Sequence, residues 1–138
     1  YGEVVIMKIK GKTVFGGKGE GEAMVQQENF SFFGVVNRET GIINVGTNAG
    51  KSFKDKIFIF PKGKGSTLAP YVAINCVENG VAPKAILCQK ADGVIALVGV
   101  MAKIPIVDEF EQDIMKTVKT GDYIKVDADQ GVIEIVGK

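Results

Sequence analysis

The stretch from Ile57 to Cys88 limits the fold more than any other part of the chain. Ile57-Phe58-Ile59-Phe60 is apolar without alternation, as in a strand buried on both faces. It feeds into Pro61-Lys62-Gly63-Lys64-Gly65-Ser66-Thr67-Leu68-Ala69-Pro70. A helical pattern then spans Leu68 to Asn79, with Leu68, Val72 and Cys76 on one face. Pro70 fits only a first helical turn, so this helix starts near Thr67 or Leu68. Gly80 is a natural stop. Ala85-Ile86-Leu87-Cys88 is a second apolar run, which completes a βαβ unit.

The remaining segments extend this unit on both sides. Val4 to Ile9 reads as a strand, and Ala23-Met24-Val25 lies in another. Between them, Gly16-Gly17-Lys18-Gly19-Glu20-Gly21 has the look of a dinucleotide fingerprint but no helix pattern after it, so it reads as a bulged or tightly turning β segment. Phe30 to Val36 is an aromatic-rich loop or short strand, with Phe32 and Phe33 read as core. Asn37 to Gly41 is a turn, Ile42 to Val45 a short extended piece, and Gly46 to Ser52 a polar loop. A P-loop ending at Gly50-Lys51-Ser52 would need glycine where Val45 stands. Asp92 is an N-cap for a helix from Gly93 to about Lys103. Pro105-Ile106-Val107 is a short strand, and Glu109 to Val118 an amphipathic helix. Tyr123–Asp127 and Val132–Val136 form a hairpin. The expected fold is a mixed β/α domain: a β-rich first half, then βαβαβα, then a closing β-hairpin, in one domain over 1–138.

Composition narrows the function classes. The chain has 138 residues, 24% of them charged, and a net charge of +1, with no basic face of the kind that binds nucleic acid. No apolar run approaches the roughly 18 residues of a membrane span. No signal-peptide pattern begins at Tyr1, so a cytoplasmic protein is expected. There is no histidine, which removes the commonest general base. The two cysteines, Cys76 and Cys88, have apolar neighbours and read as buried thiols. They cannot by themselves supply the usual ligands of a zinc site or an iron–sulfur cluster. No cofactor is therefore expected on this chain alone.

Three groups of residues compete for chemistry. Gly65-Ser66-Thr67 is either a helix cap or a reactive hydroxyl at a helix mouth, where N–H groups and the dipole favour an anion. Two glycines, Gly63 and Gly65, exceed what a plain cap needs and suit a backbone lying against a ligand. Lys62 and Lys64 are cations close by. Arg38, the sole arginine among 17 basic residues, is either a surface turn residue or a fork for a carboxylate or phosphate. Asp92, Asp108, Glu109 and Asp113 sit around helix starts, with no pair placed for acid–base work.

Four segments, in order, resemble a known family. Phe30-Ser31-Phe32-Phe33-Gly34-Val35-Val36-Asn37-Arg38-Glu39-Thr40-Gly41-Ile42-Ile43 is similar to the LSFWGGVDPETGRI signature of the small subunit of aconitase X enzymes. Phe60 to Thr67 resembles that family's LPSGRGSS turn, Gly80 to Ile86 its GTAPAAI, and Ile104 to Asp108 its GIPVVD. The resemblance implies a swivelling β/β/α domain. It also implies a dehydratase subunit, inactive without a large aconitase X subunit that holds an iron–sulfur cluster of the 4Fe–4S type. By position Ser66 is the catalytic base, and Gly65, Thr67, Lys64 and Arg38 are the expected substrate contacts. The small phosphorylated or carboxylate substrate that the resemblance implies is (R)-5-phosphomevalonate, dehydrated to trans-anhydromevalonate 5-phosphate in an archaeal-type mevalonate route to isoprenoids; the alternative is cis-3-hydroxy-L-proline. Val35 and Asn37 replace the family's glycine and aspartate, and Arg38 stands at a proline position, so no role of that aspartate is carried over.

Two readings of another class remain. Gly121 to Asp127 with Gly131-Val132 resembles the closing hairpin of phosphoenolpyruvate-utilising phosphocarrier domains, but their carrier role needs a histidine that this chain lacks. A non-catalytic subunit that binds an anion at Ser66 is the other.

Overall fold

The computed structural model describes residues 4–137; the reading at Tyr1 lies outside them. Eight strands and three helices follow in the order β1 (Val4–Lys10), β2 (Lys12–Phe15), β3 (Lys18–Val25), β4 (Ile57–Lys62), α1 (Ala69–Glu78), β5 (Ala85–Lys90), α2 (Gly93–Ala102), β6 (Ile106–Asp108), α3 (Ile114–Thr117), β7 (Tyr123–Asp127) and β8 (Val132–Gly137). They form one mixed sheet in the order β1-β8-β7-β3-β4-β5-β6-β2. Strands β3, β4, β5 and β6 are parallel, and the other pairings are antiparallel. The two ends of the sheet, β1 and β2, are consecutive in the chain and joined by Gly11 alone. The sheet therefore curls until its ends meet. Gly11 N–H donates to Gly131 C=O at 2.7 Å, and a Cβ on Gly11 would stand 2.7 Å from the Asp108 carbonyl.

Strand alternation divides the core in two. Ile57, Ile59, Ala85, Leu87, Val107, Ile124, Val126, Ile133 and Ile135 point into the curl with Ile9, Ala23 and Val25. Phe58, Phe60, Ile86, Cys88 and Ile106 point outward, under α1, α2 and the loop carrying Phe30, Phe32 and Phe53. The unbroken apolar run at Ile57–Phe60 is thus explained: both faces of β4 are covered. Phe58 sits at the middle of an aromatic cluster, with ring centroids 4.8 Å from Phe30, 5.4 Å from Phe53 and 5.4 Å from Phe60.

Most expected elements are present, and four expectations need correction. The glycine segment from Gly16 to Gly21 is mostly regular strand, in unshifted register with β7 from Lys18 to Glu22. Gly19 and Gly21 are required because the Lys84 and Asp55 carbonyls would lie 2.7 and 2.6 Å from a Cβ. The register shifts fall in β1 and β2 instead, and β2 itself was not expected. The helix expected over Glu109 to Val118 shrinks to α3. Glu109 adopts φ 49°, and the Glu109 and Glu111 N–H groups are taken by the Gln89 and Lys10 carbonyls. Helix formation waits for Asp113, whose carboxylate accepts from Met115 N–H at 3.0 Å. Phe33, expected in the core, is 43% exposed, whereas Phe32 is buried.

Truncating Phe58 to Ala removes the centre of the aromatic cluster. We expect Phe58→Ala to cost about 3–5 kcal/mol of stability, read from the urea midpoint at unchanged slope; a loss below about 1 kcal/mol would show that the cluster collapses around the gap.

Candidate active site

The carboxyl ends of β4, β5 and β6 lie side by side, the edge where open α/β sheets bind ligands. The serine turn grows from the end of β4. Its base is fastened to Phe30 on both sides: Phe30 N–H donates to Lys62 C=O at 2.9 Å, and Lys64 N–H donates to Phe30 C=O at 3.1 Å. Gly65 then turns left-handed at φ 52°, with open space around its Cβ position. Gly63 serves a different purpose from the expected ligand contact. A Cβ there would meet Asp92 Oδ2 at 2.7 Å and Ile95 Cγ1 at 2.8 Å, so its bareness lets the turn pack on α2.

Ser66 and Thr67 do not cap α1. The N-cap is Leu68, without a side-chain bond. Ser66 Oγ instead accepts Leu68 N–H at 3.3 Å in a local turn, and Ser66 C=O accepts Ala69 N–H at 3.0 Å. Tyr71 N–H is taken by Leu68 C=O, and Pro70 has none. The helix mouth thus offers few free donors. They lie one step earlier: among the described residues, no hydrogen bond engages the N–H of Gly65, Ser66 or Thr67. Ser66 is half-buried, whereas Lys64, Gly65 and Thr67 are exposed. A half-buried hydroxyl receiving one N–H, with three unused amides in sequence around it, can bind an oxyanion or stabilise its own alkoxide.

The structure does not bring Arg38 to this turn. Its Nη1 donates to Asn75 Oδ1 at 2.6 Å, and its carbonyl accepts from Asn79 Nδ2 at 2.8 Å. Asn75 lies seven residues past Leu68, about 10 Å along the helix. Asp92 and Asp108, read in the sequence only as carboxylates near helix starts, lie at this edge. Asp92 caps α2 through Oδ1, which accepts Ile95 N–H at 2.8 Å. Asp108 is buried, and its Oδ2 accepts Ala91 N–H at 2.9 Å. Strand register decides their positions, and no local pattern in the sequence carries it. At the neighbouring end of β3, Asn48 Nδ2 donates to the Val25 carbonyl and to Gln26 Oε1, within what read as a plain polar loop.

Cys76 and Cys88 are free and buried, as expected. Burial pushes the Cys76 thiol from 9.0 up to about 11, against a smaller opposing pull from Arg38. Burial pushes Cys88 up further, assisted by the charges of Asp108 and Asp92. Both stay protonated near neutrality, so neither is a ready thiolate nucleophile. Among the described residues no group of three or more His, Cys, Asp or Glu could hold a metal ion. The described residues offer no ligand set for an iron–sulfur cluster.

Residues 8–135 match the family model described as the aconitase X swivel domain. The chain belongs to the aconitase X family. It is 42% identical to a phosphomevalonate dehydratase small subunit of Archaeoglobus fulgidus over 131 residues, which cover 94% of this chain and 99% of that one. A protein of the same name from Methanosarcina acetivorans is 37% identical over 135 residues, covering 96% and 94%. The crystal structure of Thermococcus kodakaraensis aconitase X in its holo-form matches with TM-score 0.89 and 40% identity, over 95% of this chain and 99% of that chain. The swivelling-domain fold is that of the family, and the curled sheet with its serine turn is this chain's version of it. Among the described residues no helix is long and apolar enough to cross a membrane.

The raised thiol values carry a pH prediction. A thiol whose value rises on folding stabilises the native state fully below pH 9.0, and that contribution is lost as pH climbs through about 11 for Cys76. The urea midpoint should fall between pH 9 and 11, and fall less steeply in Cys76→Ala. Equal slopes in the two proteins would place the titrating group elsewhere.

Proposed function

We propose that this chain is the small subunit of a two-subunit phosphomevalonate dehydratase, with Ser66 as the base. The observation that carries this reading is the near-complete coverage of small subunits bearing that name, at about 40% identity, by a chain whose half-buried serine sits on an amide-rich turn. The reaction is the loss of one water from (R)-5-phosphomevalonate. Ser66 Oγ, having released its own proton, takes a proton from carbon as the alkoxide; the C–H electron pair becomes the new double bond, and the hydroxyl on the adjacent carbon departs as hydroxide, which takes up a proton to become water. Serine is a poor base unless its alkoxide is stabilised. Leu68 N–H already points at Oγ, and the free amides of Gly65 to Thr67 supply further positive potential. Lys64, exposed beside the turn, suits the substrate's phosphate or carboxylate. Arg38 reaches the same substrate only if the substrate extends along α1.

A large subunit completes the site in this reading. An iron–sulfur cluster held there would supply Lewis-acid chemistry toward the departing hydroxyl. This chain's surface supports a partner. Helix α2 is apolar on nearly all sides, and Leu97, Val100 and Met101 are exposed on it. Leu68 and Tyr71 are exposed next to the serine turn.

The test is the reconstituted pair. Ser66→Ala should lower kcat with phosphomevalonate by roughly a hundred- to ten-thousandfold, while the thermal midpoint stays unchanged. Turnover near that of the parent enzyme would leave an anion-binding, non-catalytic subunit as the better reading. Turnover of cis-3-hydroxy-L-proline but not phosphomevalonate would move the substrate and leave the serine's role intact.

A further inference from the structure

The serine turn has few tethers of its own. Gly65 has open space around it, among the described residues nothing engages three consecutive amides, and the bond from Leu68 N–H to Ser66 Oγ is long at 3.3 Å. Its fixed point is Gly63, which pairs with Phe30 on one side and abuts α2 on the other. The contact on α2 is the carboxylate of Asp92 together with Ile95. Asp92 uses one oxygen for the helix cap, Oδ1 to Ile95 N–H. The other, Oδ2, lies over Gly63 at the position where a Cβ would collide.

We propose that Asp92 is a positioning residue for the serine turn: Oδ1 fixes the start of α2, and Oδ2 bears on Gly63 and so sets where Ser66 stands. This rests on Ser66 being the base. Capping alone accounts for Oδ1, since Asn, Ser and Asp cap about equally well. It does not account for a second oxygen packed on a glycine that is three residues before the reactive hydroxyl. Because the turn past Gly63 is loosely held, a small displacement there passes directly to Oγ. Misplacement of a reacting group by about 1 Å can cost a hundredfold in rate.

The shorter serine side chain separates the two duties. Asp92→Ser keeps a cap for α2 but withdraws the second oxygen from Gly63. In the reconstituted enzyme with phosphomevalonate, Asp92→Ser should lower kcat about ten- to a hundredfold with KM and thermal midpoint nearly unchanged. Asp92→Asn, which keeps the shape, should restore most of kcat. Gly63→Ala should lower kcat in the parent enzyme and have a smaller effect in the Asp92→Ser background, because the two residues share one contact. Parental kcat in Asp92→Ser, strictly multiplicative losses in the double variant, or a large fall in its thermal midpoint would each overturn the proposal. An active Ser66→Ala enzyme would instead sink the reading on which it rests, so the two failures are told apart.

Discussion

The structure hangs on the double burial of β4. Its isoleucines fill the curled sheet and its phenylalanines hold the outer layer, so one short strand joins both cores. The outer layer in turn fixes the loop carrying Phe30, whose ring packs on Phe58 and whose backbone grips both sides of Gly63. The serine turn is therefore registered against the most buried part of the molecule. Precision at an exposed turn comes from a chain of contacts that begins in the apolar interior.

The curl explains why a chain with so many glycines folds tightly. Gly11, Gly19 and Gly21 lie where a neighbouring carbonyl would stand within 2.6–2.7 Å of any Cβ. These are places where backbone meets backbone, and a side chain would push strands apart. What looked like a phosphate-binding glycine pattern is a packing pattern for a sheet bent back on itself.

Much of this was legible in the sequence. The βαβ core, the Asp92 cap, the closing hairpin and the serine turn follow from apolar runs, caps and turn residues within a short window. The errors share one cause. The helix expected over Glu109–Val118 lost its first turn to carbonyls from β5 and β1, about 20 and about 100 residues away along the chain. Gly63 was assigned to a ligand because its true neighbour, Asp92, is brought close only by the parallel pairing of β4 and β5. Arg38 is held along α1 by Asn75, a partner 37 residues on that no local pattern announces. Periodicity reports what an element buries, not which distant carbonyl or carboxylate it will meet.

Closure of the sheet has a consequence for the order of folding. Strand β1 pairs with β8, so Val4 to Lys10 find their ladder partners only among residues 132–137. During synthesis the parallel core from β3 to β6 can assemble while β1 still has no neighbour, with Val4, Val5 and Ile6 bare to solvent even in the finished fold. Docking of β8 is thus the step that seals the molecule, a long-range closure of the slow kind. Until β8 has been made, β1 is an unpaired apolar edge.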